Sequence, residues 1–147
     1  MFPVFLSACL LSLVTVVTHA SGIALLVRRL PRISAVSGVW HIRRALLRVV
    51  WWLVVLHLAE ISVWAVFYLW RGLMSDVETA FYFSGVTYTT IGYGDVVLAK
   101  PWRLLGPVEG LIGVLMCGLS TGYFFVVVNR MSQWQPRKDL APSDSEA

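Results

Sequence analysis

The sequence predicts an all-α integral membrane fold: three transmembrane helices, with a short re-entrant helix and a loop between the second and third. Three observations carry this expectation. Apolar runs at about 2–27, 45–70 and 104–128 each reach the ~20 residues that a helix needs to cross a bilayer. Charge is scarce: 14% of the 147 residues are charged and mean hydropathy is +0.74, where a soluble domain carries roughly 25% charged residues. The basic residues cluster beside the apolar runs, at Arg28, Arg29, Arg32, Arg43, Arg44 and Arg48, then at Arg130, Arg137 and Lys138. That is how cytoplasmic flanks are built. It also accounts for the net charge of +4 without nucleic acid as a partner.

The chain divides into four stretches: a membrane helix at 1–27, a basic link at 28–44, a helical module at 45–131 and a polar tail at 132–147. The first run invites a signal-peptide reading, with Thr18-His19-Ala20 or Leu6-Ser7-Ala8-Cys9 as a cleavage string. Such a peptide needs a positive start, and no Lys or Arg precedes Arg28, so a retained helix is expected. The link holds Pro31, Gly38 and several serines, and part of it is a candidate interfacial helix with Trp40 at headgroup level. The tail, rich in Ser, Asp, Glu and Pro, is expected to be disordered.

The two Arg clusters agree on one orientation. The link and the tail lie in the cytoplasm, the N-terminus outside, in the inner (cell) membrane. Arg71, Lys100 and Arg103 are the dissenters. Trp64, Trp70 and Trp102 fit aromatic belts at the interface. Cys9 and Cys117 fall inside apolar runs and are expected as buried, small apolar residues rather than a disulfide.

Between the second and third runs, Ser75-Asp76-Val77-Glu78 reads as a capping box with serine at the N-cap. The helix it opens, through about Val86, is too short to span. Residues 87–95 follow it: Thr-Tyr-Thr-Thr-Ile-Gly-Tyr-Gly-Asp. Polar, non-helical chain at membrane depth is tolerated only inside protein or along a water-filled path. A Thr-x-Gly-Tyr-Gly run can present a column of carbonyl oxygens to a bare cation. Stacked carbonyls need alternate residues of opposite backbone hand, which glycine supplies at Gly92 and Gly94. The residues alone imply a dehydrated path for a monovalent cation.

With membrane helices on both sides, Thr87-x-x-Thr90-Ile91-Gly92-Tyr93-Gly94-Asp95 resembles the signature of the potassium channel superfamily. The stretch from about Ala45 to Met131 is similar to its two-helix pore module: outer helix, pore helix, filter, inner helix. The resemblance implies potassium selectivity. K+ would be held by the carbonyls of Thr90, Ile91, Gly92 and Tyr93, Gly94 would complete the filter, and the Thr90 hydroxyl would close the inner site. Ile91 and Tyr93 would point away from the axis and pack against the pore helix. A ring of ligands around one axis needs several copies, so a homotetramer follows. Membrane lipid and potassium ions are then the other partners. Potassium is permeant rather than a cofactor, and no cofactor is expected.

Where some bacterial members of the family carry an acid just before the first threonine, this chain has Val86. Where the family carries paired tryptophans, this chain has Tyr82-Phe83, of which only Tyr82 can donate to Tyr93. Thr87, Tyr82, Asp95 and Glu109 are the candidate filter supports. For Glu109 two accounts are open: a buttress behind the filter, or contact with interfacial water. For Gly113 a gating hinge, as its position in the family implies, competes with small-residue packing, which also accounts for Gly110, Gly118 and Gly122. Val114, Cys117, Thr121 and Phe125 follow Gly113 at helical spacing and form a candidate pore face. Phe125 is either a hydrophobic constriction or core. His57 and Glu60, three apart on one face, are a pH-sensitive pair or a structural one. His19 and His41 lie in other segments, so no metal site is expected.

The first run lacks the repeated arginines of a voltage sensor, and no regulatory domain is expected. The absence of converging polar residues outside the filter argues against an enzyme. A potassium-uptake subunit would carry four pore loops in one chain. A weakly selective cation channel, or a regulatory or non-conducting subunit that joins other channels, stays open.

Overall fold

Long apolar runs with proline confined to their first turns form continuous helices: the described residues hold three of these and one shorter helix. The computed structural model describes residues 1–29 and 39–132, with side chains described through Arg130. Helix α1 spans Phe2–Arg29, α2 Val39–Trp70, α3 Val77–Tyr88 and α4 Leu105–Ser132. A single 3-10 turn, Trp102–Leu104, leads into α4. There is no strand among the described residues. Pro3 and Pro107 sit in the first turns of α1 and α4, where a missing backbone N–H is tolerated. Helices α1, α2 and α4 are each long and apolar enough to cross a membrane. At 12 residues, or ~18 Å, α3 is not.

Helix α2 starts earlier than the expected boundary at Ala45. Residues 39–44 form its first turns, with Arg43 stacked over Trp40 at 3.8 Å. Arg28 and Arg29 end α1, and residues 30–38 of the link and the tail beyond Ser132 lie outside the described residues.

The bundle is layered. One apolar layer joins Val4, Ala8 and Leu11 of α1 to Trp64 and Tyr68 of α2, Phe83 of α3, and Leu98 and Leu105. A second, at the other end, joins Leu26, Val49, Leu53 and Val127. Thr15, His19 and Glu60, all buried, lie between them along the helices. Helix α1 packs on both α2 and α4 of its own chain, so it is part of the core and not a loose tether.

Several sequence expectations change here. Trp64 is not a belt residue: it is fully buried, and its Nε1 donates to Thr15 Oγ1 at 3.0 Å. An indole inside a bundle needs an acceptor, and α1 provides it. Cys9 and Cys117 are exposed on the outer faces of their helices, not buried. Arg71, which dissented from the charge pattern, stacks over Trp102 at 4.8 Å beside Trp70, a cation–π seat at the end of α2.

Candidate functional site

The site is built from the C-terminal end of α3 outward. Its N-terminal end is fixed first. The N-cap is Asp76, not Ser75: Asp76 Oδ1 accepts from Thr79 N at 2.8 Å, and Oδ2 accepts from the Thr79 and Ser75 hydroxyls at 2.8 and 2.7 Å. An aspartate accepts from N3 as readily as a serine, and Ser75 becomes its supporting donor. The Thr79 N–H and the two hydroxyls hold the Asp76 carboxyl below the usual range.

At the other end the chain leaves the helix but keeps its carbonyls occupied. Thr89 N donates to Gly85 O at 3.1 Å, Thr90 N to Thr87 O at 2.9 Å, and Gly92 N to Val86 O at 3.0 Å. The backbone then alternates in hand. Thr90, Gly92 and Gly94 have φ of 61°, 52° and 81°, while Ile91 and Tyr93 stay negative. The two glycines were expected there. Thr90 was not: a β-branched residue at positive φ is an outlier that costs on the order of 1–3 kcal/mol and persists only where its surroundings over-determine it. The Thr90 and Gly92 hydrogen bonds to the end of α3 are that determination.

Beyond the glycines, Tyr82 OH donates to Asp95 Oδ2 at 2.6 Å, not to Tyr93. This bond ties α3 to the far end of the segment and lowers the Asp95 carboxyl. In the single chain Ile91 and Tyr93 are 54% and 71% exposed. The alternating stretch lies on the outside of the single chain. Behind it, a cavity of about 300 Å³ is lined by Thr87, Gly92, Gly94, Leu98 and Gly106, among others.

Helix α4 supports this end of α3 at close range. A Cβ at Gly113 would lie 2.0 Å from Tyr88 O, and one at Gly110 would lie 3.3 Å from Thr87 O. Backbone packing therefore accounts for Gly113, and α4 runs unbroken through it. Val114, Cys117, Thr121 and Phe125 all lie uncovered on the outside of α4. At 67% exposure, Phe125 is not core of this chain.

Glu109 is fully buried, which rules out contact with interfacial water. Its oxygens accept from Tyr68 OH at 2.6 Å and from Ser84 Oγ at 2.5 Å. It therefore clamps α3 between α2 and α4. Its grip is on the helix rather than on the alternating segment.

The family model of two-helix pore-domain ion channels, in the potassium channel superfamily and described as an ion channel, matches residues 50–130. The chain belongs to that family. It is accordingly a multi-pass membrane protein of the ion channels, with α2, α3, the alternating segment and α4 inside the matched region and α1 before it. No curated protein and no solved structure gives a significant match.

In this channel, sequence reasoning missed one part of the polar core. Glu60 is fully buried, and one of its oxygens lies 2.8 Å from His19 Nδ1. His57 Nδ1 lies 3.2 Å from its other oxygen, which also takes the Tyr88 hydroxyl. Ser120 Oγ lies 3.0 Å from His57 Nε2. One cluster thus touches α1, α2, the last residue of α3 and α4. The expectation that His19 stood apart from His57 and Glu60 is overturned, because α1 packs on α2 with His19 level with Glu60. The available signal was a lone ionisable side chain inside an apolar span, which is costly without a partner.

Proposed function

We propose that four copies of this chain form a potassium-selective channel that conducts K+ passively across the inner membrane. The backbone of Thr90 to Gly94 is the observation that carries the reading: its hand alternates at Thr90, Gly92 and Gly94. Opposite-handed angles on alternate residues let successive carbonyls turn the same way. A column of such oxygens replaces the hydration shell of a bare cation.

In the assembly, the carbonyls of Thr90, Ile91, Gly92 and Tyr93 from each subunit line one axis, and the Thr90 hydroxyl closes the inner site. Helix α3 re-enters the membrane with its C-terminal end, at Tyr88, aimed at the centre. Its dipole places partial negative charge there, which favours a cation below the filter. One chain offers one strand of ligands, so rotational symmetry completes the ring. The exposure of Ile91 and Tyr93, and of the Val114–Phe125 face, fits surfaces that neighbouring copies and a water-filled path would cover. The Arg28–Arg29 and Arg130 ends would face the cytoplasm.

The deciding experiment is the reversal potential of the purified protein in planar bilayers under mixed potassium and sodium. A potential near that of potassium supports the reading. One midway between the two ions makes the chain a weakly selective cation channel, and silence from a stable homo-oligomer makes it a non-conducting subunit. Cys117 supplies a second check: a small cationic thiol reagent applied from the cytoplasmic side should block the open channel. Protection of Cys117 in open channels would reject this face as the pore lining.

A further inference from the structure

Away from the alternating segment, the only groups of metal-ligating residues that meet in the described chain are at the middle of the bundle. His19 Nδ1, His57 and a Glu60 oxygen bring their donor atoms within 4.8 Å of one another. The Tyr88 oxygen lies 3.1 Å from His57 Nδ1 and is bonded to Glu60. From this geometry we infer that His19, His57 and Glu60 bind one divalent transition-metal ion of the zinc type, with the Tyr88 oxygen as fourth donor.

Donor chemistry is the first support. Two imidazoles with a carboxylate form a set that zinc takes in tetrahedral geometry, at ~2.0–2.2 Å from each ligand atom. Donors around such an ion stand about 3.3 Å apart. At present His19 Nδ1 lies 2.8 Å from one Glu60 oxygen, His57 Nδ1 lies 3.2 Å from the other and 3.1 Å from the Tyr88 oxygen, and the Tyr88 hydroxyl is hydrogen-bonded to Glu60, so an ion enters by replacing that hydrogen bond and spreading the donors.

Orientation is the second. A ligating histidine usually donates its other ring N–H to a fixed acceptor. For His57, Ser120 Oγ, 3.0 Å from Nε2, is placed to accept that proton, whereas His19 Nε2 is buried without such a partner among the described residues. The His57 Nδ1 lone pair then faces Glu60 and Tyr88.

Charge is the third. Among the described residues, the ion-pair partners of Glu60 are the two histidines. With both imidazoles neutral and Glu60 ionised, the cluster holds one negative charge between two apolar layers, an expensive arrangement. A divalent ion with ionised Glu60 and Tyr88 sums to zero. The competing account needs no metal: one protonated histidine supplies the positive charge, and the same contacts remain hydrogen bonds. The inference does not depend on which ion permeates, or on whether the chain conducts at all.

The test uses the full-length protein, purified in detergent from cells grown with added zinc and, separately, with added cobalt, because a sealed site is filled during folding. Elemental mass spectrometry should find one metal ion per chain. The cobalt protein should show the visible absorption of four-coordinate Co(II). His19→Gln, His57→Gln and Glu60→Gln, which keep polar side chains, should each lower metal content at least about 10-fold, the low end of what even an outer-shell change costs. Wild-type protein of intact oligomeric state that holds only trace metal after both growths would leave the proton account in possession. So would a His19→Gln/His57→Gln double variant with wild-type metal content. Should the variants misfold, the wild-type stoichiometry and cobalt spectrum decide alone.

Discussion

Gly113 shows how much a single missing atom can carry. With Tyr88 O 2.0 Å from the place of its Cβ, alanine there has no room unless backbone moves. Overpacking typically costs about 1–3 kcal/mol, and a backbone neighbour cannot swing aside as a side chain can. Gly113→Ala should therefore lower the thermal midpoint of the detergent-solubilised protein. Gly118→Ala, with nothing within 4 Å of its Cβ, should leave that midpoint unchanged or raise it through helix propensity. If Gly113 acted only as a hinge, its alanine variant would change open probability at constant midpoint. At this scale the sequence was readable where a backbone rule governs: Gly92 and Gly94 were expected at positive φ because only glycine takes it freely. Thr90 was opaque, since its strained conformation is imposed by carbonyls of Val86 and Thr87 and not by its own chemistry. His19 was opaque because its partner lies 41 residues away.

Among the elements, α3 is the one whose stability should respond to acid. It is held by two exposed carboxylates, Asp76 at the N-cap and Asp95 through Tyr82 in the middle of the helix. Both are lowered in the fold, by the Thr79 N–H and by the Tyr82 hydroxyl first. The unfolded chain therefore takes up these protons at higher pH than the folded one. Their contribution is complete above the ordinary carboxylate value of ~3.9 and is lost as pH falls through the lower folded-state values. A melting series from neutral to acid pH should show this loss, and Asp76→Asn with Tyr82→Phe should flatten it. An acid limb unchanged in that double variant would assign it to other carboxylates. The existence of α3, its length and the polar segment after it were all legible from apolar pattern and turn chemistry. Its N-cap was misread by one residue because Ser75 and Asp76 both satisfy the same rule.

For the whole molecule, the sequence suggested a pore module at 45–131 with a helix before it, whereas the packed chain is one layered bundle. Helix α1 contributes Val4, Ala8 and Leu11 to one apolar layer, Thr15 as the acceptor for Trp64, and His19 for Glu60. A protein starting at Val39 should leave the Trp64 N–H and part of Glu60 buried without partners, each at a cost of about 1–3 kcal/mol. It should melt well below the full chain and lose protein in size-exclusion chromatography. Equal midpoints would make α1 an accessory to a self-sufficient module. This dependence was not legible because apolar composition reports that a helix enters the membrane, not which neighbour it finds there.

The contact between His19 and Glu60 also bears on how the protein is made. Translation delivers the imidazole to the bilayer one full span ahead of the acid. When the second span reaches the lipid, its carboxyl group already has a host waiting on the first, so the two can settle as a hairpin. Biogenesis then has a built-in order, and a first span inserted in the wrong direction would strand the acid of the second.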